Sequence, residues 1–204
     1  MMKNEDIYGF ARFSEAHALG QLGRQQEAIA AYDDVIARYD ASIAPELQEW
    51  VARALVSKGV ELALSEQLQK AIDVWDKVIQ RYGASDASAL QEHVANALYN
   101  KAASLILLGQ YRAGIAACDD IIARYGQDKR PEIRPVMRGA YFYKARAYAR
   151  MGQTLEAFSA LQIMRGAGYP LDYTEIEQNT DFDSIRRHPD FKKFRDENKG
   201  GLIL

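Results

Sequence analysis

The residues that could do chemistry are few and lie far apart along the chain. His17, His93 and His188 are the only histidines, and none has a second His, Cys or carboxylate at a recurring four-residue spacing. A zinc site needs three or four such ligands brought together, so none is expected. Cys118 is the only cysteine, which excludes an intrachain disulfide and fits a reducing compartment.

Two short motifs that resemble binding signatures are incomplete. Gly166-Ala-Gly168 has no preceding strand pattern and no Lys-Ser/Thr after it, so it is not a phosphate loop. Asp181-Phe-Asp183 lacks the glycine and the distal glutamate of a calcium loop. No serine stands in a nucleophile elbow. We therefore expect no enzyme activity, no metal and no cofactor.

Charge and hydropathy exclude two further classes of function. The chain has 26 Lys and Arg against 28 Asp and Glu, for a net charge of −2, which gives no electrostatic basis for nucleic-acid binding. The longest aliphatic run, 105–108, is far shorter than the ~20 residues of a membrane span. The acidic start of the chain is not a secretory signal. A soluble, cytoplasmic protein is predicted.

The dominant feature of the chain is an internal repeat. Four copies of one segment recur 43 residues apart, marked by Ala28-Ile29, Ala71-Ile72, Gly114-Ile115 and Ala157-Phe158. Three of them read AIAAYDDVIARY, AIDVWDKVIQRY and GIAACDDIIARY. A constant period of this size is typical of stacked-repeat proteins, which offer an extended binding surface rather than a catalytic cleft.

Each copy contains two amphipathic helical patterns joined by a short turn. In the second copy, Pro45 begins the first helix and apolar residues follow at helical spacing. Ser65-Glu66 forms the turn, where the other copies have Gly23, Gly109 and Gly152. A turn this short makes the two helices antiparallel. Gly83 ends the second helix and is expected in the left-handed conformation. The predicted class is all-α.

Small residues at fixed positions predict close contact between the two helices of each copy. Ala16, Gly59, Ala102 and Ala145 recur in the first helices, and the small residues of the second helices follow twelve positions later. Larger residues, including Tyr32, Trp75, Cys118 and Leu161, are expected to fill the surrounding layers. By this register Cys118 is a core residue rather than a reactive thiol.

Aspartates also recur, on the polar side of the second helices. Asp33, Asp76 and Asp119 could be mistaken for a carboxylate site. The neighbouring Asp34 and Asp120 stand four residues before Arg38 and Arg124, the spacing of a helical ion pair. We therefore predict a solvated, salt-bridged face.

The pattern resembles the tetratricopeptide repeat. The residues that carry the likeness are Ala102, Leu105, Gly109, Tyr111 and Gly114, and four copies hold register over about 5–168. The unit is longer than the family's usual 34 residues, as in bacterial repeats with a similar first helix. The resemblance implies a right-handed superhelix of antiparallel hairpins, an α-solenoid, with hairpins at about 4–40, 45–83, 87–126 and 131–168.

The tail, 169–204, departs from the repeat. A short helix is expected near 172–178, and Phe182, Ile185, Phe191 and Phe194 suit two short helical turns. Terminal repeats expose an apolar face that must be covered. We expect this segment to cap the fourth copy, with a separate partner-binding motif as the alternative. Residues 199–204 are expected to be frayed.

In the tetratricopeptide family the first helices line a concave groove. Transferred by position, this resemblance makes the candidate partner-binding residues Phe10, Phe13, His17, Arg53, Val56, Tyr99, Phe142 and Arg146. The alternative for Phe13 and Phe142 is packing between adjacent repeats. The family's clamp for a terminal carboxylate needs Lys and Asn at these positions and is not expected.

The function predicted from the sequence is a protein-interaction module or scaffold that binds a peptide or helix in this groove. The partner is another protein or peptide that the sequence does not identify. The alternatives are an immunity-type stoichiometric inhibitor of a toxin, another regulatory adaptor, or a structural self-assembling repeat protein. A monomer and a weak dimer are both compatible with the sequence.

Overall fold

The computed structural model describes residues 4–199, with side chains described for residues 7–196. The all-α prediction is confirmed, and no strand occurs within that range. The helices are α1 Asn4–Gln21, α2 Gln25–Tyr39, α3 Pro45–Leu64, α4 Leu68–Tyr82, α5 Ser88–Leu107, α6 Tyr111–Tyr125, α7 Arg134–Arg150, α8 Thr154–Gly166, α9 Tyr173–Gln178, α10 Asp183–Arg186 and α11 Asp190–Lys199, with a 3₁₀ turn at Thr180–Phe182. The described residues form two compact units, which divide between Ser104 and Leu105.

Within each unit, consecutive helices pack against each other. In the first unit α1 packs on α2, α2 on α3 and α3 on α4, while α1 also touches α3. In the second unit α6 packs on α7 and α7 on α8. This order is that of helical hairpins in which the first helices α3 and α7 also contact the preceding second helix.

The inner turns share one backbone conformation. Gly23, Gly109 and Gly152 have φ between 72° and 75°, the left-handed region that glycine enters without strain. The second copy has Glu66 there, with φ 60°. The left-handed residue lets the next N–H fold back onto the helix, and the Gln67 N–H donates to the Leu62 carbonyl at 2.9 Å. The second copy thus has the same turn conformation, although a glutamate side chain disfavours a positive φ.

The left-handed conformation predicted for Gly83 is wrong. Gly83 has φ −61° and ψ −22°, and its N–H donates to the Ile79 carbonyl at 2.9 Å. The link that follows continues in the helical sense for one more turn, with the Ser85 N–H donating to the Tyr82 carbonyl at 3.0 Å. The long inter-repeat link therefore leaves the helix without the reversal that a left-handed cap would impose.

Small residues lie in the contacts between the helices, and one of them makes room for a large ring. Ala16 and Ala71 are fully buried. A Cβ added to Gly59 would lie 2.2 Å from Nε1 of Trp75, which is 1% exposed. The same indole nitrogen donates to the Val56 carbonyl at 3.1 Å. The largest second-helix residue of the series thus faces the smallest first-helix residue.

Ion pairs connect successive copies at the repeat spacing. Asp33 pairs with Lys58 at 2.6 Å and Asp76 with Lys101 at 2.5 Å in the first unit. Asp119 pairs with Lys144 at 2.5 Å in the second. Each bond runs from a second helix to the following first helix, and we call this set the Asp–Lys ladder. The solvated, salt-bridged character expected for these aspartates is confirmed, because their side chains are about half exposed.

One of the two predicted helical ion pairs is wrong. Asp120 bonds to Arg124 at 2.7 Å as expected. Asp34 instead accepts from Arg12 on α1, and the Arg38 guanidinium lies 4.3 Å from the centre of the Tyr8 ring. A neighbouring helix supplies the stronger partner here, since Arg12 reaches Asp34 with two of its nitrogens.

The C-terminal segment packs onto α7 and α8. Asp172 caps α9 by accepting from the N–H groups of Thr174 and Glu175, at 2.9 and 3.1 Å. Phe182 and Ile185 are fully buried. Phe191 and Phe194 are nearly buried and stack on Phe158, with the Phe194 ring centre 4.9 Å away. Of the end predicted to be frayed, residues 200–204 lie outside the described range.

Candidate functional site

The candidate residues of the first unit lie on α1, α3 and α5. We call the exposed side of these helices the first-helix face, defined by Phe10, His17, Arg53, Val56 and Tyr99. Phe10 is 57% exposed, and His17 and Arg53 are exposed as well. Val56 and Tyr99 are half-buried. An aromatic ring, an imidazole and a guanidinium are thus presented on one unit.

Arg53 is held in place by aromatic rings rather than by an acid. Its guanidinium lies 4.2 Å from the centre of the Phe13 ring and 5.4 Å from that of Trp50. No carboxylate pairs with it within the described range of the chain. Stacking of this kind orients a guanidinium through its face and leaves the N–H edge to donate. Arg53 is therefore a fixed cation with spare donors.

A second basic residue nearby stays uncharged at neutral pH. Burial, and to a smaller extent the positive charge of Arg53, lower the pKa of His93 to about 4. His93 is half-buried on α5, at the position equivalent to Trp50. Near Arg53 it offers a neutral imidazole, so the positive charge at this point comes from the guanidinium alone.

Two of the candidate aromatic residues are packing residues in this structure. Phe13 is 7% exposed and lies between Tyr32 and Trp50, at centroid distances of 5.2 and 5.8 Å. Phe142 is 5% exposed and lies 5.4 Å from Phe182 of the C-terminal segment. Their burial favours the packing role that the sequence left open. Phe13 and Phe142 are therefore interior residues and not part of the exposed surface that a partner would contact.

Arg146, the candidate residue of the last copy, is engaged by the chain itself. Its Nε donates to Asp181 at 2.7 Å, and both side chains are less than one-fifth exposed. Arg150 lies 3.7 Å from the same carboxylate, and Arg138 pairs with Glu175 at 2.7 Å. The C-terminal segment therefore occupies the positions of α7 that the register assigns to a partner.

Glu61 is an unusual residue that the sequence interpretation missed. It is 7% exposed, and its Oε2 is buried without a hydrogen-bond partner. Burial raises its pKa, against an opposing effect of His17. A Cβ on Gly20 of α1 would lie 2.2 Å from its Oε1. The repeat register could have revealed this residue, because the equivalent positions of the other copies hold the small, uncharged residues Ala18, Ser104 and Ala147.

A cleft of about 590 Å³ in the first unit is lined by residues of α2, α3 and α4. Leu55 and Val74 are nearly buried at its floor, and its rim carries charges of both signs. Asp33 pairs with Lys58 and Asp40 with Arg81, which leaves Lys77 as the remaining charged residue of the lining. Lys77 is exposed and, unlike Arg53, is not stacked on an aromatic ring within the described part of the chain.

The remaining chemistry-bearing groups do not form a site in the described part of the chain. No group of three His, Cys, Asp or Glu residues is placed to hold a metal ion there. Within the same range, no helix is long and apolar enough to span a membrane. Cys118 is fully buried, and burial raises its pKa to about 12, so the thiol is a core residue as the register predicted.

Comparison with known proteins shows the fold. No protein-family model and no curated protein matches the chain. A putative kinesin light chain from Podosopora anserina, with nearly identical TPR-like repeats, matches with a TM-score of 0.69 and 16% identity, over 98% of this chain and 96% of that chain. MamA from Desulfovibrio magneticus RS-1, from residue 41 to its end, matches with a TM-score of 0.60 and 19% identity, over 100% of each chain. A double mutant of MamA RS-1 matches with a TM-score of 0.64 and 20% identity, over 96% of this chain and 92% of that chain.

These neighbours confirm the tetratricopeptide resemblance at the level of the fold. The likeness extends over nearly the whole chain, so the long 43-residue units and the C-terminal segment are compatible with a tetratricopeptide-like architecture. At identities of 16 to 20% it carries no information about the partner.

Proposed function

We propose that this tetratricopeptide-like repeat protein is a non-catalytic protein-interaction module that binds a peptide or helix on the first-helix face of its first unit. The observation that supports this most directly is Arg53. A guanidinium held by Phe13 and Trp50, with no acid partner in the described range, is a preformed donor for a carboxylate. Phe10, exposed on α1 one helical turn before Phe13, adds an apolar contact.

The composition of the face supports a protein partner. Aromatic residues and arginine are enriched at the positions that contribute most to binding energy in protein interfaces. Arg53 stacked on rings has lost part of its side-chain freedom before binding, which reduces the entropic cost of association. A binding segment with an acidic residue next to an apolar one fits this arrangement of charge and ring.

The same reasoning narrows the set of candidate residues. Phe13 is buried, and Phe142 and Arg146 are engaged by the C-terminal segment, so an incoming segment would have to displace part of the chain to reach them. Phe10, His17, Arg53, Val56 and Tyr99 need no such displacement. We therefore assign the proposed contact to the first unit.

The test starts with affinity capture and mass spectrometry to identify a bound protein, followed by calorimetry with that purified protein. Arg53→Gln is compared with Arg112→Gln, which removes the same charge from an exposed position on α6. A charge-assisted hydrogen bond contributes about 1.5–3 kcal/mol, so Arg53→Gln should weaken binding by roughly 10- to 150-fold. The control should change it less than about two-fold.

A second variant separates ring contact from charge. Tyr99→Ala should also weaken binding of the same partner, while circular dichroism shows the helical fold intact. If Arg53→Gln and Tyr99→Ala both leave the affinity of a confirmed partner unchanged, the partner binds elsewhere and the assignment of the face is wrong.

A further inference from the structure

Four arginines stand four or eight residues apart along α7, in the second unit. We call them the α7 arginine stripe, which consists of Arg134, Arg138, Arg146 and Arg150. From its first to its last residue the stripe extends over about 24 Å of helix. The three earlier copies have no arginine or lysine at the equivalent positions. The stripe is therefore not part of the repeat, and its role belongs to the fourth copy alone.

The start of the C-terminal segment, residues 169–186, contacts the whole stripe, and we call it the docking segment. At one end, the Arg134 guanidinium lies 5.3 Å from the centre of the Tyr169 ring. One turn further along α7, Arg138 pairs with Glu175 at 2.7 Å. The docking segment thus provides one aromatic ring and one carboxylate to this half of the stripe.

The other half of the stripe converges on a single carboxylate. Arg146 donates from Nε to Asp181 at 2.7 Å, and a second nitrogen of its guanidinium lies 2.5 Å from the same oxygen. Arg150 lies 3.7 Å from that carboxylate. Contacts between a guanidinium and a carboxylate are among the strongest polar contacts in proteins, so Asp181 is the main charged contact of the docking segment.

An apolar contact lies directly beside this carboxylate. Phe182 is fully buried, with its ring centre 5.4 Å from that of Phe142, and Ile185 is fully buried as well. The Ser184 hydroxyl donates to the Ala149 carbonyl at the end of α7, at 2.8 Å. What α7 recognises is therefore an acidic residue followed by an aromatic one, within a short helical turn.

The docking segment holds its own turns together. The Arg186 guanidinium donates to the carbonyls of Ile176 and Asn179 at 2.9 and 2.8 Å. Asp172 caps α9, and the Asn179 side chain accepts from the Asp181 N–H at 2.9 Å. All these bonds lie inside the segment and need no group of α7. The segment is thus pre-organised as a peptide ligand would be, which lowers the entropic cost of docking.

The docking segment does not match the charge of the stripe. Four guanidinium groups meet two carboxylates, because Arg146 and Arg150 share Asp181. Arg134 stacks on a ring, and no carboxylate pairs with it within the described part of the chain. The Arg150 side chain remains 49% exposed. A segment with the same aromatic residue and more acids would complement this surface better than the chain's own segment does.

From these observations we propose that α7 is a latent binding surface for an acidic–aromatic segment of a partner protein, and that the docking segment is its displaceable intramolecular occupant. This surface belongs to the second unit and does not depend on the contact proposed for Arg53. A partner binds only to chains whose docking segment is released, so its apparent affinity is lowered by the released fraction. A permanent cap is the alternative, in which the segment leaves α7 only when the unit unfolds.

The first test uses fluorescence anisotropy of a labelled, N-acetylated and C-amidated peptide with the sequence of residues 169–188, mixed with the full chain. The released variant combines Glu175→Gln with Asp181→Asn, which removes both carboxylates that hold the docking segment. It should bind the peptide about ten-fold or more tightly than the wild type, because its α7 surface is free more often. The control variant, Glu177→Gln with Asp196→Asn, removes two charges at exposed positions and should behave as the wild type.

Changes in the peptide test the chemistry of the partner. Asp181→Asn or Phe182→Ala in the peptide should each weaken binding to the released variant by about ten-fold or more. Added salt should weaken binding of the unchanged peptide, because it screens the partly exposed arginines. Circular dichroism checks that all variants of the chain are folded.

Hydrogen exchange measured by mass spectrometry tests the release itself. Residues 173–186 should exchange about ten-fold or more faster in the released variant than in the wild type, while α7 exchanges at the same rate in both. If residues 173–186 exchange at the rate of α7 in both proteins, the segment is a permanent cap and the proposal is wrong. A peptide that binds neither protein, or binds both equally, overturns it as well.

Discussion

The contact between Gly59 and Trp75 offers the sharpest test of how this repeat packs. An alanine at position 59 would place its Cβ 2.2 Å from Nε1, 2.5 Å from Cε2 and 2.9 Å from Cδ1 of the indole. Ordinary contact begins at 3.4 Å, beyond all three distances, so the ring must move. Trp75 is 1% exposed and has little space to move into.

The magnitude follows from three effects. Overpacking a filled core costs about 1–3 kcal/mol. Displacing the indole weakens its hydrogen bond to the Val56 carbonyl, which is worth about 1 kcal/mol. Replacing glycine by alanine inside a helix contributes about 1 kcal/mol in the opposite direction. Gly59→Ala should therefore lower the free energy of unfolding by about 2 kcal/mol.

The assay is urea unfolding followed by circular dichroism, with the transition midpoint as the readout. The midpoint should fall while the slope of free energy against urea concentration stays the same, because the surface exposed on unfolding is unchanged. If only helix propensity mattered, Gly59→Ala would be stabilising, and that result would refute the packing argument.

A double-mutant cycle tests the pairing itself. Gly59→Ala combined with Trp75→Leu recreates the Ala145 and Leu161 pair of the fourth copy. The added methyl group should then occupy space vacated by the indole. We expect the double variant to be at least about 1 kcal/mol more stable than the sum of the single effects. Additive effects would show that the two residues are not coupled.

Three further predictions concern stability. Glu66→Gly should raise the free energy of unfolding by about 0.5–1 kcal/mol in urea unfolding, because glycine adopts φ 60° without strain, whereas Gly23→Ala should lower it. Glu61→Gln should stabilise by about 1 kcal/mol at pH 7. Since burial raises the pKa of Glu61 in the folded state, wild-type stability falls as pH rises from about 4.5 through that raised pKa. The advantage of the variant should therefore shrink as pH is lowered through the same window, and a pH-independent difference would contradict this. Phe182→Ala should lower the thermal midpoint by an amount equivalent to about 3 kcal/mol, while Phe10→Ala, at an exposed ring, should leave it nearly unchanged.

The helices, their pairing and the class of fold could be predicted from the sequence because they depend on local patterns that recur four times. Apolar spacing defines the helical faces, and short turns make neighbouring helices antiparallel. The prediction for Gly83 failed because the turn type depends on the link that follows the glycine. The Asp–Lys ladder was overlooked although Lys58, Lys101 and Lys144 also recur at the repeat spacing.

The candidate site was less predictable because equivalent positions do not have equivalent surroundings. Phe13 and Phe142 share one register position, yet Trp50 and Arg53 cover the first while Phe182 covers the second. Arg146 was a candidate for binding a partner, and the tail supplies Asp181 instead. The pairing of tail and repeat involves residues 35 apart, outside the repeat period.

The sequence by itself determined which residues are equivalent, because the constant 43-residue period aligns the positions of the four copies. Only the tertiary structure decided which equivalent residues are covered, because burial depends on what lies next to each copy. At the start of the array nothing described covers Ala11 and Ala18, while at its end the tail covers Phe142 and Arg146. The surface that we propose for binding arises from this difference between the ends and the middle of the array.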